Sequence, residues 1–225
     1  MRWLLAFALL FSCAHAGDLL LCIVTARRST SYLGALMQGL DAQGASYVVV
    51  DVDNSTLPSV GAVRLERRPD DVCRRGYSVP CPMQRQGLDI VAALEICRDY
   101  QRSRWVGLIE DDMTVCDGGV REIEQVVAGL GRFKTARFAK FSRATVFPAY
   151  NIKPYARYVR QHVHVTPHDI LLNYEWAHGV DYVHRVSLFT HQGKVSTIEE
   201  RNDPAYMATY SDLRGETCGT PLLGK

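Results

Sequence analysis

The hydrophobic residues of this chain form short continuous runs separated by helical repeats. Leu19–Thr25 and Tyr47–Val52 are nearly all apolar, as in strands that are buried on both faces of a sheet. Between these runs, apolar residues recur at helical spacing at Leu33, Leu36, Met37 and Leu40. Two such strands joined by a helix form a β–α–β unit with parallel strands. The pattern therefore predicts an α/β fold with a mostly parallel, twisted sheet flanked by helices.

The same patterns continue along the rest of the chain. Further strands are expected around Ala62–Leu65 and over Trp105–Ile109 and Tyr182–Thr190, and Phe138–Phe147 is expected as a strand or as extended chain. Further helices are expected over Gln84–Tyr100, around Val120–Leu130, within Pro148–Arg160 and from Thr166 onward. Because no repeat or domain linker interrupts this order, we expect one domain over residues 17–225.

The start of the chain resembles a secretory signal peptide. Arg2 precedes an apolar run from Trp3 to Phe11, and a small-residue cleavage site ends at Ala16. The run is shorter than the roughly 20 residues that a membrane-spanning helix needs. We therefore expect residues 1–16 to be removed, leaving no transmembrane span. The protein would then lie in the lumen of the endoplasmic reticulum or Golgi, or be secreted.

Cysteine content and charge narrow the class of protein further. Of the seven cysteines, six remain after Cys13 leaves with the signal peptide, and an even number suits disulfides in a secreted chain. Cys73 and Cys81 are the expected local pair, whereas Cys22, inside an apolar strand, has a buried thiol as its alternative. Asn54–Thr56 is a glycosylation sequon. The formal net charge of +2 does not favour nucleic acid or an anionic membrane as a partner.

Three consecutive acids, Glu110, Asp111 and Asp112, stand at the end of the apolar run that begins at Trp105. In open α/β sheets, ligands bind beyond the carboxyl ends of the strands. Carboxylates at such a place suit Mg²⁺ or Mn²⁺, which usually also hold substrate phosphates. The pattern therefore predicts a metal that carries a nucleotide diphosphate. The alternative is a solvated acidic turn.

Asp51 and Asp53 form a second acidic pair, at the end of the second predicted strand. An acid at this place is a D-x-D metal pair, a contact for a ribose or base, or part of a turn with Asn54. Arg27 follows the first strand, where it is either a phosphate contact or a residue of a solvated loop.

Asp169, near the start of a predicted helix, is a candidate general base that would accept a proton from a sugar hydroxyl. The alternative is a structural acid that caps the helix, in which case Glu175 is the spare candidate for the base. His191 follows the last predicted strand as a candidate metal ligand or a structural histidine. His162 and His164 would share one strand face, which is a less specific zinc pattern.

Six segments in order resemble the N-acetylglucosaminyltransferase IV family of inverting, GT-A-type Golgi enzymes that branch N-glycans. The segments are Ile23–Leu33 (opening strand, arginine and "YL"), Gln86–Asp89 ("QNLD"), Glu110–Met113 ("EDDI"), Phe141–Ser142 ("EFS"), Pro167–Leu172 ("P-x-D-W-L-L") and Leu188–Gly193 ("LFQHVG"). The resemblance runs from about Leu19 to Thr197. The transferase that adds GalNAc to GPI glycans shares parts of this pattern.

The resemblance implies a GT-A fold and transfer of a sugar, most readily GlcNAc, from a UDP donor to a glycan or glycoprotein acceptor. It implies Asp112 as the main metal ligand, with His191 completing a site for Mn²⁺ or, alternatively, Mg²⁺. It implies Asp169 as the base. The implied donor-binding residues are Arg27, Asp89, Glu110 and Asp111. Asn173 replaces a second acid that is common in the family, which leaves the base on Asp169 or Glu175.

Three alternatives to GlcNAc transfer remain open at this point. The first is GalNAc transfer to a GPI glycan, and the second is a secreted relative that binds sugar without turnover. The third is a secreted zinc-binding domain that uses His162 and His164.

Overall fold

The computed structural model describes residues 18–26, 32–53, 62–140, 143–176, 181–192 and 216–222. Its strands are β1 (Leu19–Thr25), β2 (Tyr47–Asp51), β3 (Val63–Arg64), β4 (Trp105–Glu110), β5 (Met113–Val115), β6 (Thr135–Arg137), β7 (Ala144–Pro148), β8 (Asp181–Val183) and β9 (Phe189–His191). Its helices are α1 (Leu33–Ala42), α2 (Cys81–Tyr100), α3 (Gly119–Gly129), α4 (Ala149–His162) and α5 (His168–Ile170), which is followed by the π-helical segment Leu171–Trp176. Within these ranges, no helix has both the length and the apolar character that crossing a bilayer requires.

Seven strands form one sheet in the order β3-β2-β1-β4-β7-β6-β8, and β5 pairs with β9 in a small second sheet. Strands β3, β2, β1 and β4 are mutually parallel, and β6 is parallel to β8. Strand β7 runs antiparallel to both of its neighbours. The predicted α/β fold with a mostly parallel sheet flanked by helices is confirmed, and this mixed sheet agrees with the GT-A-like architecture that the resemblance implies.

The sheet separates two hydrophobic cores because successive side chains of a strand point to opposite faces. On β1, Leu19, Leu21 and Ile23 pack on the face that α1 and α3 cover. Leu20 and Cys22 pack on the other face, against α2 and α4. Burial of both faces explains why β1 has no polar residue before Thr25.

Two of the predicted strands are wrong in their extent. Of the segment Phe138–Phe147, which the sequence predicts as a strand or as extended chain, only the part from Ala144 onward is a strand, and this strand, β7, pairs antiparallel with the preceding β6. Tyr182–Thr190 divides into β8 and β9, because the chain leaves the large sheet after Val183 and enters the small sheet at Phe189. In both places apolar residues continue through a change of partner strand, so hydrophobicity alone does not mark the break.

Helix α4 is longer than the predicted short helix within Pro148–Arg160. It spans 14 residues although Pro154 lies inside it, where proline costs about 3 kcal/mol. The buried face of this helix, made by Ile152, Tyr155, Ala156 and Val159, packs into the core beside α2. We attribute the tolerance of Pro154 to this burial.

The structure contains three disulfides: Cys22–Cys97 and Cys116–Cys218 join distant parts of the chain, and Cys73–Cys81 closes a short loop. The predicted local pair, Cys73–Cys81, is confirmed. The buried-thiol alternative for Cys22 is wrong, because this residue links β1 to α2. The expected signal peptide over residues 1–16 and the sequon at Asn54–Thr56 both lie outside the described residues, so the expectation of a signal peptide stays a prediction.

Helix α2 packs closely against the chain around α5 at Gly87. A Cβ atom on Gly87 would lie 2.6 Å from Val163 Cγ2 and 3.0 Å from His168 Cβ. These distances are shorter than ordinary van der Waals contacts, so a side chain would push α2 and α5 apart. The glycine of the Gln86–Asp89 segment is therefore required by packing.

Replacing Gly87 with alanine should lower the free energy of unfolding by about 1–3 kcal/mol, the usual cost of overpacking. This loss should appear although alanine favours helix by about 1 kcal/mol over glycine. The matched control is Gly34→Ala, because Gly34 is exposed on α1 and its added Cβ would meet no atom within 4 Å. Urea unfolding measures both variants, and equal effects of the two would contradict the packing account.

Candidate functional site

A cleft of about 280 Å³ opens at the carboxyl ends of β1, β2 and β4. In the sheet, β2 and β3 lie on one side of β1, and β4 lies on the other side. The strand order therefore reverses between β1 and β4. Ligands bind at this point in open α/β sheets. The apolar lining residues include Val24, Ala26, Val52, Leu108 and Ile90, and the charged ones are Asp53, Arg85, Asp89, Glu110 and Asp111.

One face of α2 forms a wall of this cleft. Pro82, Arg85, Gln86, Asp89 and Ile90 all line it, and their spacing of three and four residues places them on one side of the helix. This spacing is a sequence signal that could have identified the face. It also explains how Asp89, in the interior of a 20-residue helix, reaches the ends of the strands.

Asp111 is fixed at the floor of the cleft by the neighbouring strand. The Thr25 hydroxyl donates a 2.7 Å hydrogen bond to Asp111 Oδ2, and both residues are buried. Glu110 is half-buried beside it, with its backbone N–H bonded to the carbonyl of Arg143 at 3.2 Å. Glu110 and Asp111 thus both line the cleft, where β1 and β4 lie side by side.

Asp112 and His191, 79 positions apart, meet where β5 pairs with β9. His191 Nε2 lies 3.3 Å from Asp112 Oδ2, and the side chains are only 9% and 7% exposed. The pairing of Met113 with His191 and a 2.8 Å bond from Gln192 N–H to the Asp112 carbonyl fix the contact. Among the described residues, no three His, Cys, Asp or Glu side chains form a group that could hold a metal.

Asp89 is held by Arg67, which sequence reasoning did not single out. Arg67 Nε donates to Asp89 Oδ1 at 2.6 Å, and its terminal nitrogen donates to Oδ2 at 2.9 Å and to the Val52 carbonyl at 2.8 Å. Burial raises the pKa of the Asp89 carboxyl, and the Arg67 guanidinium acts in the opposite direction. No spacing rule links a loop arginine to an acid 22 positions away on a helix.

Asp169 lies at the start of α5 and is not among the residues that line the cleft. Its Oδ1 accepts a 3.0 Å bond from the Ile170 N–H. Asn173 donates to the Asp169 carbonyl at 2.7 Å and accepts from Arg137 at 2.8 Å. The residue before α5 is Pro167, which provides no side-chain cap for this helix.

The remaining candidates differ from the sequence expectations or lie outside the described structure. Asp53 lines the cleft, and its N–H bonds to Asp51 Oδ1 at 3.1 Å. His162 and His164 do not share a strand face, because His162 ends α4 and His164 is buried against Gln84 Oε1 at 2.9 Å. Two further candidates, Arg27 and the side chain of Glu175, lie outside what the structure describes.

Comparison with known proteins gives likenesses of structure only. No family model matches the sequence, and no curated protein matches it. A glycosyltransferase involved in the glycosylation of the major capsid of PBCV-1 superposes with a TM-score of 0.49 at 12% identity, covering 84% of this chain and 98% of that chain. The protein A197 from STIV superposes with a TM-score of 0.42 at 9% identity, covering 76% and 82%. At these values neither likeness bears on activity.

Proposed function

We propose that this protein is a metal-dependent, inverting glycosyltransferase that moves a sugar, most readily GlcNAc, from a UDP donor to a glycan hydroxyl. The observation that carries the proposal is the cleft at the reversal of strand order, with Glu110 and Asp111 on its floor and Asp112 next in the chain. The family resemblance implies the same three acids and His191. The cleft and the resemblance therefore both favour a donor site at the carboxyl edge of the sheet.

The cleft has the chemistry that a nucleotide diphosphate needs. Apolar side chains such as Val24, Val52 and Leu108 offer a surface for a base, while Asp89 and Asp53 offer acceptors for hydroxyl or N–H groups. Arg85 adds a positive charge for phosphate. Arg67 would not contact the donor itself. Its guanidinium bonds to both oxygens of Asp89 and so holds that carboxylate in the orientation in which it would contact the donor.

Asp112 and His191 are the residues that would hold the metal. A carboxylate oxygen and an imidazole nitrogen 3.3 Å apart suit a Mn²⁺ site, and oxygens of the donor's phosphates and water would complete it. When bound, the ion would neutralise charge that builds on the UDP leaving group. Asp169 would accept the proton of the acceptor hydroxyl, which gives direct displacement with inversion at the sugar carbon.

The proposed setting is the secretory pathway. Three disulfides are typical of proteins that fold in an oxidising compartment. The signal peptide expected over residues 1–16 agrees with this setting. Residues 17–225 would then form the catalytic domain.

Release of UDP from UDP-GlcNAc and UDP-GalNAc, with N-glycan and GPI-glycan acceptors, tests the proposal. Asp112→Asn and Asp169→Asn should each lower turnover at least about 100-fold, and Asp169→Asn should still bind UDP. The control is Asp117→Asn, an exposed acid five positions after Asp112, which should keep wild-type turnover. A wild-type protein that binds glycans but releases no UDP would instead be a non-catalytic sugar-binding relative.

A further inference from the structure

A segment that follows β9 in the chain lies directly against the candidate site. Residues 216–222, called here the strap, bond to the chain between β8 and β9. The Ser187 N–H donates to the Thr220 carbonyl at 2.7 Å, and the Leu222 N–H donates to the Arg185 carbonyl at 3.0 Å. The Cys116–Cys218 disulfide ties the strap to the chain just after β5.

The strap reaches the proposed metal ligand through its backbone. The His191 N–H donates a 3.0 Å hydrogen bond to the Glu216 carbonyl. Strands β5 and β9 pair over only three residues each, and a two-stranded sheet of this kind is marginally stable by itself. The Glu216 carbonyl therefore adds a support to the edge of β9 that carries His191.

The Glu216 side chain reaches the other part of the site. It is 0% exposed, and its Oε1 accepts from the Lys140 N–H at 2.6 Å and from the Ser187 hydroxyl at 2.8 Å. Its Oε2 lies 3.6 Å from a terminal nitrogen of Arg143, whose Nε lies 3.9 Å from Glu110 Oε2. Arg143 thus lies between the buried strap acid and an acid of the cleft.

We infer that Glu216 is a positioning residue of the nucleotide-sugar site, acting on His191 through its carbonyl and on Glu110 through Arg143. A buried carboxylate is costly unless it is hydrogen-bonded and paired, so its partners hold it in one orientation. The disulfide to Cys116 keeps the strap in place. The role in donor binding rests on the proposed function, whereas the mechanical effect on His191 does not.

The test is Glu216→Gln, which keeps the size of the side chain and removes its charge. The control is Asp99→Asn, because Asp99 is an exposed acid that pairs with its neighbour Arg98. Ring ¹⁵N chemical shifts of the histidines are measured first, in the absence of any nucleotide. In Glu216→Gln the His191 ring signals should move, while those of His162 and His164, which bond to Tyr158 and Gln84, should stay unchanged.

Titration with UDP in the presence of Mn²⁺ is measured second. Removing a residue that orients a metal ligand typically lowers metal affinity about 10–100-fold. Because UDP would bind through the metal, Glu216→Gln should bind UDP about 10–100-fold more weakly. Asp99→Asn should bind UDP with the affinity of wild type. Unchanged His191 signals, or unchanged UDP affinity in a wild type that binds UDP, would overturn the inference. If wild type binds no UDP, the proposed function fails and the His191 signals alone decide the positioning role.

A second variant keeps the inference testable should Glu216→Gln not fold. In Cys116→Ser/Cys218→Ser, the amide protons of Ser187 and His191 should exchange with solvent at least about tenfold faster. The Leu21 amide, in the centre of the large sheet, should exchange at the wild-type rate. Equal exchange at His191 in this variant and in wild type would overturn the role of the strap.

Discussion

Replacing Cys22 and Cys97 together with alanine should lower the free energy of unfolding by at least about 4 kcal/mol. The bond closes a loop of 75 residues, and the chain-entropy relation gives about 4.5 kcal/mol for a loop of this length. Both residues are fully buried between β1 and α2, so the two alanines also leave a cavity, which adds to the loss. Urea unfolding under non-reducing conditions measures the change.

The comparison for this variant is Cys73→Ala/Cys81→Ala. That bond closes a loop of only 8 residues, for which the same relation gives about 2.5 kcal/mol, and the site is more exposed. The variant without Cys22–Cys97 should therefore lose clearly more stability than this one. A smaller loss for Cys22→Ala/Cys97→Ala than for the loop variant would contradict the account of the core.

Replacing Arg67 with methionine should lower the free energy of unfolding by about 2 kcal/mol. Removing one partner of a buried ion pair leaves the other charge buried and costs about 3–5 kcal/mol. Because the Arg67 side chain is 33% exposed and that of Asp89 8%, solvent screening reduces this value. The control is Arg68→Met, since Arg68 is 54% exposed and pairs with Glu95, and its loss should stay below about 0.5 kcal/mol.

The loss of unfolding free energy in Arg67→Met should depend on pH, because the protonation of Asp89 determines how much the loss of Arg67 costs. Burial raises the pKa of this carboxyl in the folded protein, and without Arg67 it should rise further above the unfolded value of about 3.9. The cost of the buried charge is present above the folded pKa and is relieved as the pH falls through it. The loss of stability should therefore be largest near pH 7 and shrink toward pH 4, and a loss that grows on acidification would contradict this assignment.

The sequence predicts those helices and strands that pack against the same neighbours along their whole length. The apolar spacing predicts helices α1 and α3, because each of them buries one face. The continuous apolar run predicts strand β1, because this strand is covered on both faces along its whole length. Strands β7 and β9 are predicted with wrong limits, because their boundaries depend on which strand lies beside them. Such a choice of partner has no local signal in one sequence.

The residues of the candidate site can be divided in the same way, into those with a local signal in the sequence and those without one. Glu110, Asp111 and Asp112 stand out because they follow a buried strand, and His191 stands out because it ends one. Arg143 and Glu216 act on Glu110 and His191 from distant parts of the chain, and Arg67 acts on Asp89. They occur in segments with no periodicity, so only the folded structure brings them to the site.

The most direct measurement of the central claim is calorimetric titration of the protein with UDP, with Mn²⁺ and with EDTA, for wild type and Asp112→Asn. UDP binding should require Mn²⁺ and should be lost in Asp112→Asn, because Asp112 and His191 together would hold the ion beside the cleft. Absence of UDP binding under every metal condition, or equal affinity in Asp112→Asn, would contradict the nucleotide-sugar site.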